Sequence, residues 1–138
     1  MKRASIHLLK KETQFTKTTK IYMPFVETTL FENDKKKLKK INDLISKKIS
    51  KVFNAKYSTI TIYNNFIKKK NFYHNSKINN SEKRIFIKIS GIKRTKNKKK
   101  RLAQLIISGL IKIIKVKQPA NIAIYYYDRL KEDVYHGT

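Results

Sequence analysis

A chain of 138 residues has room for one compact domain with a real core. It has no cysteine, only three scattered histidines (His7, His74 and His136) and no run of about 18 apolar residues, which argues against disulfides, a zinc site and a membrane span. Charge dominates: 34 Lys and Arg stand against 9 Asp and Glu, a formal net of +25, which would attract phosphates, anionic membranes or acidic partners.

A second source of that charge competes with a selected one. Lysine, isoleucine and asparagine are all abundant while glycine and proline are scarce, as expected when an A+T-rich genome drives codon choice. Lysine also heavily outnumbers arginine, the residue nucleic-acid sites favour for forked contacts.

Residues 1–22 are basic, rich in Thr and Lys, and carry a single acid, Glu12. They read as an extension that is disordered or missing from the mature chain, an organellar targeting peptide or untranslated sequence being further readings. A cytoplasmic protein is expected otherwise. From Tyr22 the pattern changes to "YMPFVETTLF", where Phe25, Glu27 and Thr29 alternate with Val26, Thr28 and Leu30 as in a strand. Asn33 or Asp34 is then placed to cap a helix.

That helix is "KKKLKKINDLISKKISKVF", with Leu38, Ile41, Leu44, Ile45, Ile49, Val52 and Phe53 forming one apolar stripe. "NAKY" ends it, "STITIYNNFI" is a second strand, and "KKKNFYHNSKINNSEK" is a polar connector without an obvious core. The order then repeats: "RIFIKISGI" as strand, Thr95 as cap, "KKKRLAQLIISGLIKII" as helix and "NIAIYYYD" as strand.

The halves also align by residue type, "PFVETTLF" over "IFIKISGI" and "STITIYNN" over "ANIAIYYY", at a spacing of about 61 or 62 residues. This predicts an internal repeat, residues 23–80 and 83–138, of two β-α-β units in one α+β domain. Right-handed crossovers put both helices on one face of a shared four-stranded sheet. The other face is expected to be partly apolar, because residues such as Phe25 and Ile87 alternate with others that must point away from the helices. A bare face of that kind predicts assembly through the sheets, which closed cyclic symmetry would bury.

Two stretches, "MPFVETTLFEND" and "ISGIKRTKNKKKRLAQLIISGLIKIIKVKQPANIAIYYYD", together with the closing "EDVYHGT", carry a resemblance. From Met23 to Thr138 the chain resembles fused tandem-repeat members of the tautomerase superfamily, akin to macrophage migration inhibitory factor and malonate semialdehyde decarboxylase relatives. The resemblance implies a homotrimer without metal or organic cofactor. It also implies a tautomerase or isomerase in which an amino-terminal proline moves protons on a small anionic 2-oxo acid or enol.

The proline in the matching position is Pro24, whose secondary amine would be the base only in a chain that starts there. Inside a longer chain its nitrogen is an amide, and Pro24 merely opens a strand at no hydrogen-bonding cost. By resemblance Lys56 and Arg94 would hold the substrate carboxylate, an arginine fork suiting that group. Thr61 and Ala123 stand where 4-oxalocrotonate tautomerase relatives carry arginine on the second strand, and "FENDKK" lacks the first-turn arginine, so no known substrate specificity transfers. His74 and His136 recur at equivalent repeat positions, as loop duplication alone would produce.

Two other readings remain. The fold without catalysis would be a structural or interaction protein. An RNA-binding protein would use "KRTKNKKKR", Lys93 to Arg101, with Tyr125, Tyr126 and Tyr127 for stacking, although only two of three consecutive tyrosines share a sheet face.

Overall fold

The computed structural model describes residues 24–74, 76–78, 83–133 and 135. The expectations for residues 1–22 and for His136 lie outside them. Strand β1 (Phe25–Phe31) leads through a short 3-10 turn (Glu32–Lys37) into helix α1 (Leu38–Phe53) and strand β2 (Thr61–Ile67). A small hairpin of β3 (Tyr73–His74) and β4 (Lys77–Ile78) follows, then β5 (Ile85–Ile92), α2 (Lys96–Ile114) and β6 (Ile122–Arg129).

The main sheet runs β2-β1-β5-β6. Each crossover pair, β1 with β2 and β5 with β6, is parallel, and the two units meet through the antiparallel β1–β5 pair. This is the tandem β-α-β arrangement expected from the repeat, and it relates the units by an approximate twofold axis between β1 and β5.

The helix stripes fold onto one face. Ile41, Ile45, Ile49, Val52 and Phe53 of α1 and Leu102, Ile106, Leu110 and Ile114 of α2 are buried over Val26, Leu30, Ile85, Ile87, Ile89 and Ile122. Each such side chain contributes roughly 1.5–3 kcal/mol by leaving water. Ile87 thus lies under the helices, whereas Phe25 points to the opposite face and meets Tyr63 edge-on at 5.0 Å. The two residues differ because it is Val26, Thr28 and Leu30 of β1 that the α1 stripe covers.

One polar cluster is embedded in that layer. Asn64 and Asn42 exchange side-chain hydrogen bonds of 3.0 Å, and Asn64 donates to the hydroxyl of buried Thr28. These polar groups are therefore paired rather than stranded between helix and sheet.

The repeat also shows in the helix ends. Asn54 and Lys115, 61 positions apart, both close their helices in the left-handed region at φ 54°. The starts differ. Thr95 caps α2 by accepting from the Lys98 N–H at 3.2 Å, as expected, but neither Asn33 nor Asp34 caps α1. Asp34, the counterpart of Thr95, is buried and accepts from Lys83 Nζ at 3.3 Å, so its carboxylate is committed elsewhere and the chain first winds as a 3-10 turn.

The connector after β2 is likewise not purely a solvent loop. Phe72 packs against Phe31 (5.4 Å between ring centroids) and Phe86 (5.9 Å), covering the end of β1 on the face without helices. A lone aromatic in a polar segment has no periodic neighbours to reveal such a role.

Candidate functional site

The head of β1 gathers the sequence candidates at one end of the sheet. Pro24 is buried there and its carbonyl accepts from the Thr61 N–H at 3.1 Å, which ties it to the start of β2. On its other side the register, with Phe25 opposite Ser90, brings the end of β5 alongside. A proline in this position forfeits no ladder hydrogen bond within β1.

Two residues past β5, Arg94 lays its guanidinium over the Phe53 ring, 4.9 Å from the centroid. Phe53 in turn meets Tyr126 edge-to-face at 5.7 Å, and the Tyr126 hydroxyl donates to the Ile92 carbonyl at 2.9 Å. Lys99 Nζ sits 4.6 Å from the centre of the Tyr126 ring and pairs with Asp128 at 2.8 Å. Burial pushes the Tyr126 phenol up to about 12, with Arg94 and Arg129 opposing the shift and Asp128 adding to it. The phenol therefore stays protonated and is a hydrogen-bond donor at neutral pH.

Lys56 is exposed in the link between α1 and the Tyr57–Thr59 turn that feeds β2. Its backbone carbonyl accepts from the Thr59 N–H (3.0 Å) and Thr59 Oγ1 (2.7 Å), which fixes the turn immediately before the strand that holds Pro24. Thr61 and Ala123, which replace the arginines of the resemblance, lie on the helix-free face of β2 and β6.

His74 is placed elsewhere. It stacks on Phe72 at 6.3 Å in the hairpin, and Phe72 packs on Phe31, about 20 Å along β1 from Pro24 at ~3.3 Å per residue. The basic run Lys93–Arg101 is not a uniform solvent-facing strip either, since Arg94 and Lys99 are engaged on Phe53, Tyr126 and Asp128. Among the described residues no three His, Asp or Glu side chains converge as metal ligands would. No helix among them is long and apolar enough to cross a membrane.

A second feature was not visible in the sequence. Beyond the other end of β1, a cleft of about 260 Å³ is lined by Phe31, Asn33, Asp34, Lys36, Lys37, Lys69 and Lys83. The only sequence hint would have been the repeat, which makes Asn33 the counterpart of Arg94.

No protein-family model matches the chain, and no curated protein matches it in sequence. Solved structures do. The macrophage migration inhibitory factor-like protein of Entamoeba histolytica superposes with a TM-score of 0.69 at 20% identity, over 83% of this chain and 96% of that one. FG41 malonate semialdehyde decarboxylase inhibited by 3-bromopropiolate gives 0.69 at 13% identity, over 83% and 89%. The F6 fused 4-OT wild-type asymmetric trimer gives 0.68 at 13% identity, over 76% and 85%. At these identities the likeness establishes the fold: the chain has the tautomerase fold.

Proposed function

We propose that the domain from residue 23 to 138, apart from the extension 1–22, is a tautomerase of small 2-oxo acids that uses Pro24 as an amino-terminal base. The observation that carries this reading is Pro24 itself: buried at the head of β1 in a tautomerase fold, clamped by Thr61 and flanked by the end of β5 that leads to Arg94.

In a chain beginning at Pro24 the ring nitrogen is a secondary amine. An α-amino group titrates near 8, and burial beside cationic side chains disfavours the ammonium form, bringing the amine towards the range where a base works at neutral pH. The free amine takes a proton from the carbon next to the ketone and becomes the prolinium, the C–H electron pair becomes the C=C bond as the C=O π pair moves onto oxygen, and that oxygen takes up a proton from solvent water to give the enol. The reverse step returns the proton from the prolinium to carbon.

Arg94 and Lys56 supply the charge for the substrate carboxylate. The Arg94 guanidinium is held over the Phe53 ring, and its planar fork of N–H groups favours a bidentate grip. The alternative is the same fold acting as a structural or interaction protein, favoured by Thr61 and Ala123 standing where arginines would otherwise hold substrate.

The test compares three proteins on phenylpyruvate, following the enol band by absorbance: a chain starting at Pro24, one starting at Met1, and one starting at residue 24 with Pro24→Ala. Turnover by the first, none by the second and at least a hundredfold loss in the third is the expected result. Arg94→Ala should raise KM roughly tenfold with a smaller change in kcat. A Pro24-initiated chain that folds yet does not turn over oxo acids would move the assignment to the non-catalytic reading.

A further inference from the structure

We propose that the cleft beyond the carboxyl end of β1 is a binding site for a diphosphate group, separate from Pro24 and without catalytic chemistry of its own. Four lysines, Lys36, Lys37, Lys69 and Lys83, line about 260 Å³, with Asp34 as the one carboxylate among the lining residues. That volume is several times the ~30 Å³ a water takes in the liquid, enough for more than one phosphoryl group.

The four come from three parts of the chain. Lys36 and Lys37 lie on the 3-10 turn before α1, Lys69 on the turn after β2 and Lys83 just ahead of β5, so the cluster is made by the fold and not by a local run. Asp34, only 3% exposed, anchors Lys83 at 3.3 Å and fixes that ammonium at the cleft wall. A cleft whose lining is predominantly cationic focuses its field and concentrates counter-ions.

The crowding bears on Lys37 in particular. Desolvation and the neighbouring ammonium groups of Lys83, Lys115 and Lys36, offset in part by Asp34, hold Lys37 below the ordinary lysine value. An anion between these groups would relieve that repulsion.

The repeat says what kind of site this is. Under the approximate twofold relation the cleft corresponds to the Pro24 end of the sheet, with Asn33 in the place of Arg94 and Lys37 in the place of Lys98. The counterpart of Pro24 is Ile85, a fully buried aliphatic residue with no group to take or give a proton. The cleft can therefore hold an anion but lacks the group that would act on it. A wall of ammonium points suits the tetrahedral, multiply charged phosphoryl group better than the planar carboxylate.

The test is calorimetric titration of the full chain with inorganic pyrophosphate, ADP and malonate in 150 mM salt. One saturable pyrophosphate site per chain is expected, with malonate at least tenfold weaker. Lys36→Gln/Lys37→Gln should weaken pyrophosphate at least tenfold, while Lys47→Gln/Lys51→Gln, which removes the same charge from exposed positions of α1, changes it less than twofold. Circular dichroism of both variants establishes that they fold.

Equal affinity for ADP and pyrophosphate assigns recognition to the diphosphate alone, and tighter ADP binding assigns it to a nucleoside diphosphate. Non-saturable binding, or equal weakening by the two double variants, would mean that the net +25 charge attracts anions everywhere, and would overturn the proposal.

Discussion

Tyr126 concentrates several forces in one side chain. Its ring packs on Phe53, its hydroxyl donates to Ile92 and its phenol is held at about 12. Between pH 10 and 12 the unfolded chain ionises this phenol while the folded chain keeps the proton. Its contribution to stability is therefore complete below about pH 10 and is lost as pH rises through the folded value. Tyr126→Phe keeps the ring and removes the hydrogen bond, which should cost about 1 kcal/mol near pH 8. The gap between wild type and variant should then narrow from pH 10 upward. Denaturant unfolding of both proteins at pH 8 and pH 11 measures it; a gap that stays constant would mean that burial does not hold the proton. The hydroxyl also touches the space over Gly91, where an added Cβ would lie 3.1 Å from it, so the end of β5 and Tyr126 are fitted to each other.

Between elements, one tight fit lies where the helices meet. A Cβ at Gly109 of α2 would lie 2.6 Å from both Leu44 methyl carbons of α1, so the glycine is what lets Leu44 seat against the neighbouring helix. Gly109→Ala gains roughly 1 kcal/mol of helix propensity but overpacks the contact at about 1–3 kcal/mol, and net destabilisation is expected. In a Leu44→Ala background the obstruction is gone, and the same substitution should become stabilising by about 1 kcal/mol. A double-mutant cycle by urea unfolding reads this reversal, and additive effects would show that Leu44 simply swings aside. These elements were largely legible before the structure. The 3–4 spacing from Leu38 to Phe53 and the recurrence of β-α-β after 61 residues define helices, strands and their pairing, because periodicity reports which face is buried. Periodicity carries no information about contacts between distant, isolated positions. The Asp34–Lys83 pair spans 49 residues, Phe72 folds back from a polar connector, and the lysines of the cleft converge from separate turns. Pro24 and Arg94 could be named from the resemblance, but the placement of Arg94 over Phe53 and the link to Tyr126 depend on how helix ends meet strand ends.

At the scale of the whole molecule, one face of the sheet has no helix over it. Phe25 and Tyr63 form an edge pair there, Tyr125 and Tyr127 are each 49% exposed, and Glu27 stands directly opposite Lys88 in the β1–β5 register. An aromatic surface of this kind on a sheet normally marks an interface. Any assembly through this face would work against a net charge of +25 per chain, and salt screens exposed charges beyond about 10 Å at 0.1 M. If apolar burial drives association through this face against charge repulsion, self-association should tighten between 50 mM and 500 mM salt, the reverse of what phosphate-driven binding does. Tyr125→Glu is the informative variant. It lowers the net positive charge and so reduces repulsion between chains, yet it places a carboxylate in the aromatic face, and dissociation to monomers would therefore trace to that face rather than to charge. Sedimentation equilibrium at both salt concentrations should find associated chains for the wild type and a shift to single chains for Tyr125→Glu. A wild type that stays monomeric at both, or a variant that assembles unchanged, would remove the sheet face as the interface and leave those tyrosines open for another partner.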